Sequence, residues 1–328
     1  LEFGQSDSHN ATILALFSYT NKILSMQINK LVIFGVGLIG GSVALALKQA
    51  KAVGQVVGVG RSLDNLQTAI DLGVIDEAQS DVSLAVKNAD LILIATPVAQ
   101  TPKILEAIIP HLSEKTVITD AGSTKSDIAE YVEHAAKQAK NPAQVLSQFV
   151  GGHPIAGAEK SGVSAAKNDL FQGKNVVLTP NGATSPAALN LVRELWLATG
   201  ANVSEMTASN HDQIFAAVSH LPHLLAFALV DDLASRDNAK QLFDFAASGF
   251  RDFTRIAGSS PEMWRDISIA NRHALLSEIE AFQKELLLLK VLIETKDEQG
   301  LQALFERASH ARQQWGKSQE LCSKTVKS

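Results

Sequence analysis

The sequence predicts an α/β fold: a mainly parallel sheet with interleaved helices, followed by an all-helical domain. Three observations point there. Between residue 30 and about residue 207, short apolar runs alternate with longer patterns of apolar residues three and four apart, as repeated strand–helix–strand units require. After Thr207 the strand pattern stops and only helical periodicity remains. The length of 328 residues, with 46% hydrophobic and 19% charged side chains, suits about two soluble domains with a sizeable core.

In chain order, residues 1–25 read as a leader, non-native or disordered, because Met26 directly precedes the first strong strand pattern. Its apolar segment, residues 11–17, has no basic stretch before it and is too short to span a bilayer. The expected strands cover residues 31–36, 55–59, 91–95, 116–119, 145–150, 175–178 and 202–206. The last two follow a different rhythm, so an antiparallel edge is expected. Helices are expected at residues 211–234, 239–250, 262–293 and 297–315, with Ser209-Asn210-His211-Asp212 as a helix start at the domain boundary. This divides the chain into a sheet domain (26–207), a helical domain (208–316) and a polar tail (317–328). The leucine-rich stretch 262–293 is longer than one small domain needs. It reads as a buried homodimer interface or, alternatively, as a long core helix.

Composition narrows the function classes. A net charge of −5 gives no support for a nucleic-acid partner or a polybasic membrane contact. The single cysteine, Cys322, leaves no disulfide framework and no cysteine metal site, which fits a reducing cytoplasm. No segment reads as transmembrane, and no internal repeat is visible.

Gly35-Val36-Gly37-Leu38-Ile39-Gly40 follows the first expected strand and opens the first helix. Gly35 permits a tight turn, Gly37 admits a pyrophosphate, and Gly40 lets helix and strand pack closely. The N–H groups around Leu38 and Ile39 then face the phosphates. In this strand–helix frame the motif predicts a Rossmann-type dinucleotide site. At the end of the second strand, where NAD binders place an acid for the ribose, stand Arg61 and Ser62, with the nearest carboxylate at Asp64. That pair suits the 2′-phosphate of NADP, so NADP is favoured over NAD; the alternative is a solvated Arg61. Thr96, in the turn after residues 91–95, is a cofactor-contact candidate or an ordinary turn residue. Ser123, in Asp120-Ala121-Gly122-Ser123-Thr124-Lys125, could touch nicotinamide or substrate, or simply cap a helix.

Chemistry is concentrated in three clusters. Gly151-Gly152-His153-Pro154-Ile155-Ala156-Gly157 puts one titratable ring among glycines and a proline, read as a strand-to-loop transition. Ser219-His220-Leu221-Pro222-His223 places two histidines three apart in a helical pattern that the proline should kink. No third ligand cluster accompanies them, so no metal is expected. Ser248-Gly249-Phe250-Arg251-Asp252-Phe253-Thr254-Arg255 offers guanidinium groups suited to a carboxylate, or a solvated helix end. Trp264, in the segment that opens the following helix, is a pocket wall or core.

Taken in order, GVGLIGGS at 35–42, DAGSTK at 120–125, GGHPIAGAEKSG at 151–162, SHLPH at 219–223, and GFRDFTR with SPEMWRDI at 249–267 resemble the prephenate/arogenate dehydrogenase family. The resemblance runs from about residue 30 to 316. It implies a nucleotide-binding domain, a dimerising helical domain, and oxidative decarboxylation of prephenate to 4-hydroxyphenylpyruvate or of arogenate to tyrosine. It implies that His153 takes the proton of the ring hydroxyl, that Ser123 holds the hydroxyl or the imidazole, and that His223 lines the substrate pocket. It further implies that Arg255 binds a substrate carboxylate, that Trp264 flanks the ring, and that Glu159 stands near the pocket mouth. One departure concerns specificity: Ala247-Ser248-Gly249 stands where the family often has three glycines. The resemblance leaves prephenate against arogenate open. Two other readings are a β-hydroxyacid dehydrogenase, whose helix-borne lysine motif finds no match here, and a nucleotide-binding sensor without turnover, which would leave His153, His223 and Arg255 without a joint purpose.

Overall fold

A computed structural model describes residues 28–158 and 160–325. The leader expected at residues 1–25 and the candidate Glu159 lie outside the described residues. Eight strands form one sheet in the order β3-β2-β1-β4-β5-β6-β7-β8. They are β1 (Ile28–Phe34), β2 (Val53–Val59), β3 (Glu77–Ala78), β4 (Leu91–Ile94), β5 (Val117–Asp120), β6 (Phe149–Pro154), β7 (Asn175–Pro180) and β8 (Asn202–Glu205). β1 to β6 run parallel. β7 pairs antiparallel with β6, and β8 pairs parallel with β7, so the reversed edge is two strands wide. This is the expected α/β architecture, with the short edge strand β3 the only one of the eight without an apolar run to announce it.

Two apolar clusters cover the two faces of the sheet. One gathers Leu31, Ile33, Val43, Leu47, Phe171 and Trp196; the other gathers Val32, Phe34, Ile92, Ile94, Ile118 and Phe149. Neighbouring residues of one strand fall in opposite clusters because side chains alternate across the pleat. Both faces are dry, which explains why residues 31–34 of β1 and all of β4 read as unbroken apolar runs.

The strand expected at 145–150 is a correction. Asn141 accepts the amide of Gln144 as an N-cap and Pro142 fits the first turn, so Pro142–Gln148 is helical and β6 starts only at Phe149. The Gly-Gly-His-Pro segment therefore lies inside a buried strand and not in a loop. A side chain at Gly151 would come within 2.3 Å of the Thr179 hydroxyl, and one at Gly152 within 2.7 Å of the Asp120 carbonyl. These glycines serve close strand packing, a second meaning of glycine in a strand.

The helical part starts at Thr207, whose hydroxyl accepts the Asn210 amide. The helices before it are α1 (Leu38–Gln49), α2 (Leu63–Asp71), α3 (Val82–Val86), α4 (Thr101–Ile108), α5 (Ser126–Ala136), α6 (Pro142–Gln148) and α7 (Pro186–Ala198). A single helical rod then runs from Ala208 to Ala234, as α8 (Ala208–Phe215), a π turn (Ala216–His220) and α9 (Leu221–Ala234). Pro222 has no N–H for the Val218 carbonyl, and the expected kink takes the form of this π turn. By length and hydropathy this rod could cross a membrane, yet its first turns bury His211 and Asp212 against the sheet domain. The helix expected at 239–250 breaks into α10 (Ala239–Asp244) and α11 (Ser248–Thr254). That at 262–293 breaks at Asn271 into α12 (Pro261–Ala270) and α13 (Arg272–Glu294). Asn271 leaves the helical conformation because its side-chain amide is engaged elsewhere, with the Asp212 carbonyl and His220. The last helix, Glu298–Thr325, continues past residue 317.

Candidate active site

The carboxyl ends of β1, β2, β4, β5 and β6 share one sheet edge, the edge at which open parallel sheets bind ligands. Gly35, at φ +95°, turns the chain out of β1, and a side chain there would strike the Ala95 carbonyl. At Gly40 a Cβ would lie 2.4 Å from the Gly35 oxygen, so the helix Leu38–Gln49 packs directly on the loop. Around Gly37, by contrast, no atom lies within 4 Å of where a Cβ would be. The helix has no side-chain cap and no acid in its first turn, leaving the N–H groups at Leu38 and Ile39 for an anion. The Thr96 hydroxyl, next to Gly35, is buried without a hydrogen-bond partner among the described residues. This cradle fits a dinucleotide. Arg61 is exposed at the end of β2. The Ser62 hydroxyl accepts the Asn65 amide as the cap of the next helix, and Asn65 Nδ2 donates to the Val36 carbonyl, tying both elements to the glycine loop.

On the same edge, β6 presents His153, which is 9% exposed. Its Nδ1 lies 2.8 Å from Nε2 of His211, and His211 Nδ1–H donates to Asp212 at 2.8 Å. The Asp212 carboxylate also accepts the amides of Lys125 and Ser126 at 2.9 and 2.7 Å. Phe215 meets the His153 ring edge-on, with centroids 4.9 Å apart. Burial first, then the charges of His211, Lys125 and His220, push the His153 imidazole well below the usual 6.5. Beneath it, Lys125 is fully buried in an ion pair with Asp120. The other Asp120 oxygen accepts the Gly152 amide at 3.1 Å. The loop carrying Ser123 is thereby fixed to β6.

The helical domain closes the other side. The His223 ring stacks on Trp264 at 3.7 Å, and His220 meets the same indole edge-on at 6.0 Å. His223 Nδ1–H donates to the Ser219 carbonyl, which leaves its Nε2 for a ligand. Burial lowers the His223 imidazole, and the nearby Arg255 guanidinium lowers it further. Burial likewise takes His220 down to about 4. Asn271 Nδ2 donates to Nδ1 of His220 at 3.1 Å, so its proton sits on Nε2, and the ring also interacts with the backbone of Ser123. The indole N–H of Trp264 is buried with no hydrogen-bond partner among the described residues.

Of the residues singled out in the sequence, His153 and the loop carrying Ser123 lie on the sheet edge of the glycine loop, and His223 stacks on Trp264 near Arg255 in the helical domain. His211, Asp212 and Asn271 were not singled out as site residues. The first two read as a helix start, and no local signal shows that their partners lie 58 and 87 residues away in the chain. Among the described residues, no group of three or more His, Cys, Asp or Glu side chains could hold a metal.

Comparison with known proteins gives the family. The family model for the prephenate dehydrogenase nucleotide-binding domain matches residues 43–205, and that for the prephenate dehydrogenase dimerization domain matches residues 207–307. The prephenate dehydrogenase of Bacillus subtilis (strain 168) is 38% identical over 283 residues, covering 85% of this chain and 74% of that protein. The crystal structure of prephenate dehydrogenase from Aquifex aeolicus in complex with hydroxyphenyl propionate and NAD+ superimposes with a TM-score of 0.81 at 36% identity, over 88% of this chain and 99% of that one. Synechocystis arogenate dehydrogenase gives a TM-score of 0.73 at 32% identity, over 87% and 99%. By sequence, by domain order and by fold, this chain is a member of the prephenate dehydrogenase family.

Proposed function

We propose that this chain carries out the oxidative decarboxylation of prephenate to 4-hydroxyphenylpyruvate in tyrosine biosynthesis, with NADP preferred over NAD, as a homodimer. The observation that carries the proposal is the imidazole of His153, kept uncharged by burial on the same sheet edge as the glycine loop, with the stacked His223 and Trp264 and the nearby Arg255 in the helical domain as further support. Prephenate needs both halves: a base at its ring hydroxyl, and cationic and aromatic groups for a dianionic substrate built on a ring.

The roles follow from chemistry. A nicotinamide held in the cradle supplies the hydride acceptor. His153 takes the hydroxyl proton as hydride leaves the same carbon, and Ser123 holds the hydroxyl in line. The ring carboxylate then departs as CO2, and its bonding electrons complete the aromatic ring. The phenol oxygen regains the proton, so no net proton is released. A positioned base contributes on the order of a hundred- to ten-thousandfold. Arg255 binds a substrate carboxylate by charge-assisted hydrogen bonds, His223 offers its Nε2 to the same end of the substrate, and Trp264 flanks the ring. Arginine and a hydroxyl at the end of β2, with no acid there, support the preference for the 2′-phosphate of NADP. The dimer is supported by apolar side chains that one copy leaves exposed on α13, among them Leu287 and Val291, and by the dimerization-domain match.

The test is a matrix of prephenate or arogenate with NAD or NADP, following reduced nicotinamide. Turnover of prephenate, faster with NADP, is expected. Arogenate turning over at least tenfold more efficiently would reassign the substrate. No turnover in any combination would overturn the reading. Arg61→Ala should weaken NADP at least tenfold while leaving NAD within about twofold; equal loss of both would remove the phosphate role from Arg61.

A further inference from the structure

We infer that His211 and Asp212 are a positioning pair for His153, locking its proton on Nδ1 so that Nε2 carries the lone pair offered to the substrate. The inference rests on the reading of His153 as the base.

Asp212 starts the chain of consequences. Its carboxylate is 5% exposed, and among the bonds it accepts are those of His211 Nδ1–H and of the Lys125 and Ser126 amides. A carboxylate can only accept, so Nδ1 of His211 must carry a proton. Burial works against a second proton on the fully buried His211 ring. A neutral His211 therefore presents a lone pair at Nε2. Among the described residues the group bonded there is Nδ1 of His153, which must then be the donor. With Nδ1 protonated, a neutral His153 has its lone pair at Nε2, away from His211. Each bond in the relay fixes the next. Phe215, packed against both rings with centroids 4.9 and 4.5 Å away, limits their rotation.

The same carboxylate ties the two domains together. Asp212 and His211 lie on α8, whereas Lys125 and Ser126 belong to the sheet domain. The tautomer of the base is thereby set by a residue that is in place only when the helical domain is docked on the loop after β5. Neither His211 nor Asp212 needs to touch the substrate, so both are positioning residues.

Three variants and one spectrum test this. His211→Phe keeps a ring beside Phe215 but removes the acceptor. His211→Gln puts an amide oxygen near the position of Nε2. His153→Asn identifies the His153 resonances. In 15N-histidine-labelled wild-type protein, the His153 signals should show a protonated Nδ1 and a bare Nε2. Protonation at Nε2 instead would overturn the inference, whether or not prephenate is turned over. In His211→Phe, kcat should fall about ten- to hundredfold, with KM for prephenate and Kd for cofactor changed less than about twofold. His211→Gln should recover most of that loss.

A His211→Phe enzyme with wild-type kcat would refute the pairing. So would a kcat loss matched by an equal rise in KM, with no rescue by glutamine. If the phenylalanine variant fails to fold, the wild-type spectrum and the glutamine variant decide alone.

Discussion

Burial keeps the His153 ring uncharged at neutral pH, which is the protonation state a base must have before the reaction. His153→Asn should therefore lower kcat by about a hundred- to ten-thousandfold while leaving KM nearly unchanged; steady-state kinetics decide it, and an unchanged kcat would return His153 to a packing role. Because its value is depressed, the acid limb of kcat/KM should lie below pH 6.5, so the enzyme holds activity to lower pH than an ordinary imidazole permits. An acid limb above pH 6.5 would mean that another group is the base. At this scale the sequence was partly legible. His153, His223, Arg255 and Trp264 stand in distinctive local motifs. His211 and Asp212 do not, because their meaning depends on a strand and a loop brought to them by the fold.

The glycine loop and its helix offer a clean separation of folding from binding. Gly40→Ala pushes a methyl group into the Gly35 carbonyl, and should cost about 1–3 kcal/mol of stability, visible as a lower Tm. Gly37→Ala meets nothing in the protein within 4 Å, so Tm should hold while cofactor Kd rises about tenfold or more. Loss of stability in Gly37→Ala with unchanged cofactor affinity would show that the open space does not hold the pyrophosphate. Elements were legible where local chemistry and tertiary role agree, as in β1 and its loop. They were misread where tertiary contacts override local pattern. Residues 145–148 are apolar enough for a strand but are captured by the Asn141–Pro142 cap. Asn271 breaks a leucine-rich helix because its amide serves His220 and Asp212.

For the whole molecule, His153, His211 and His220 are all held below 6.5 by burial. The unfolded chain binds protons on these rings more readily than the native one. Stability is therefore full above about pH 6.5 and is lost as pH falls. From His220 alone, held at about 4, the loss on going down to pH 4 is about 3 kcal/mol. Urea unfolding at pH 7 and pH 4.5 should show the drop, and stability that is flat over this range would contradict the buried neutral state. The exposed apolar side chains of α13 predict a second whole-molecule property. Leu287→Glu with Val291→Glu should convert a dimer to monomer in sedimentation, and a dimer surviving that change would move the interface elsewhere. The central claim joins hydride loss to decarboxylation at one base. Its most direct measurement follows reduced nicotinamide and CO2 together from purified protein, prephenate and NADP or NAD. Equal amounts of both are expected from the wild type and almost none of either from His153→Asn; reduced cofactor without CO2, or equal rates in the two proteins, would show that His153 does not join the two steps.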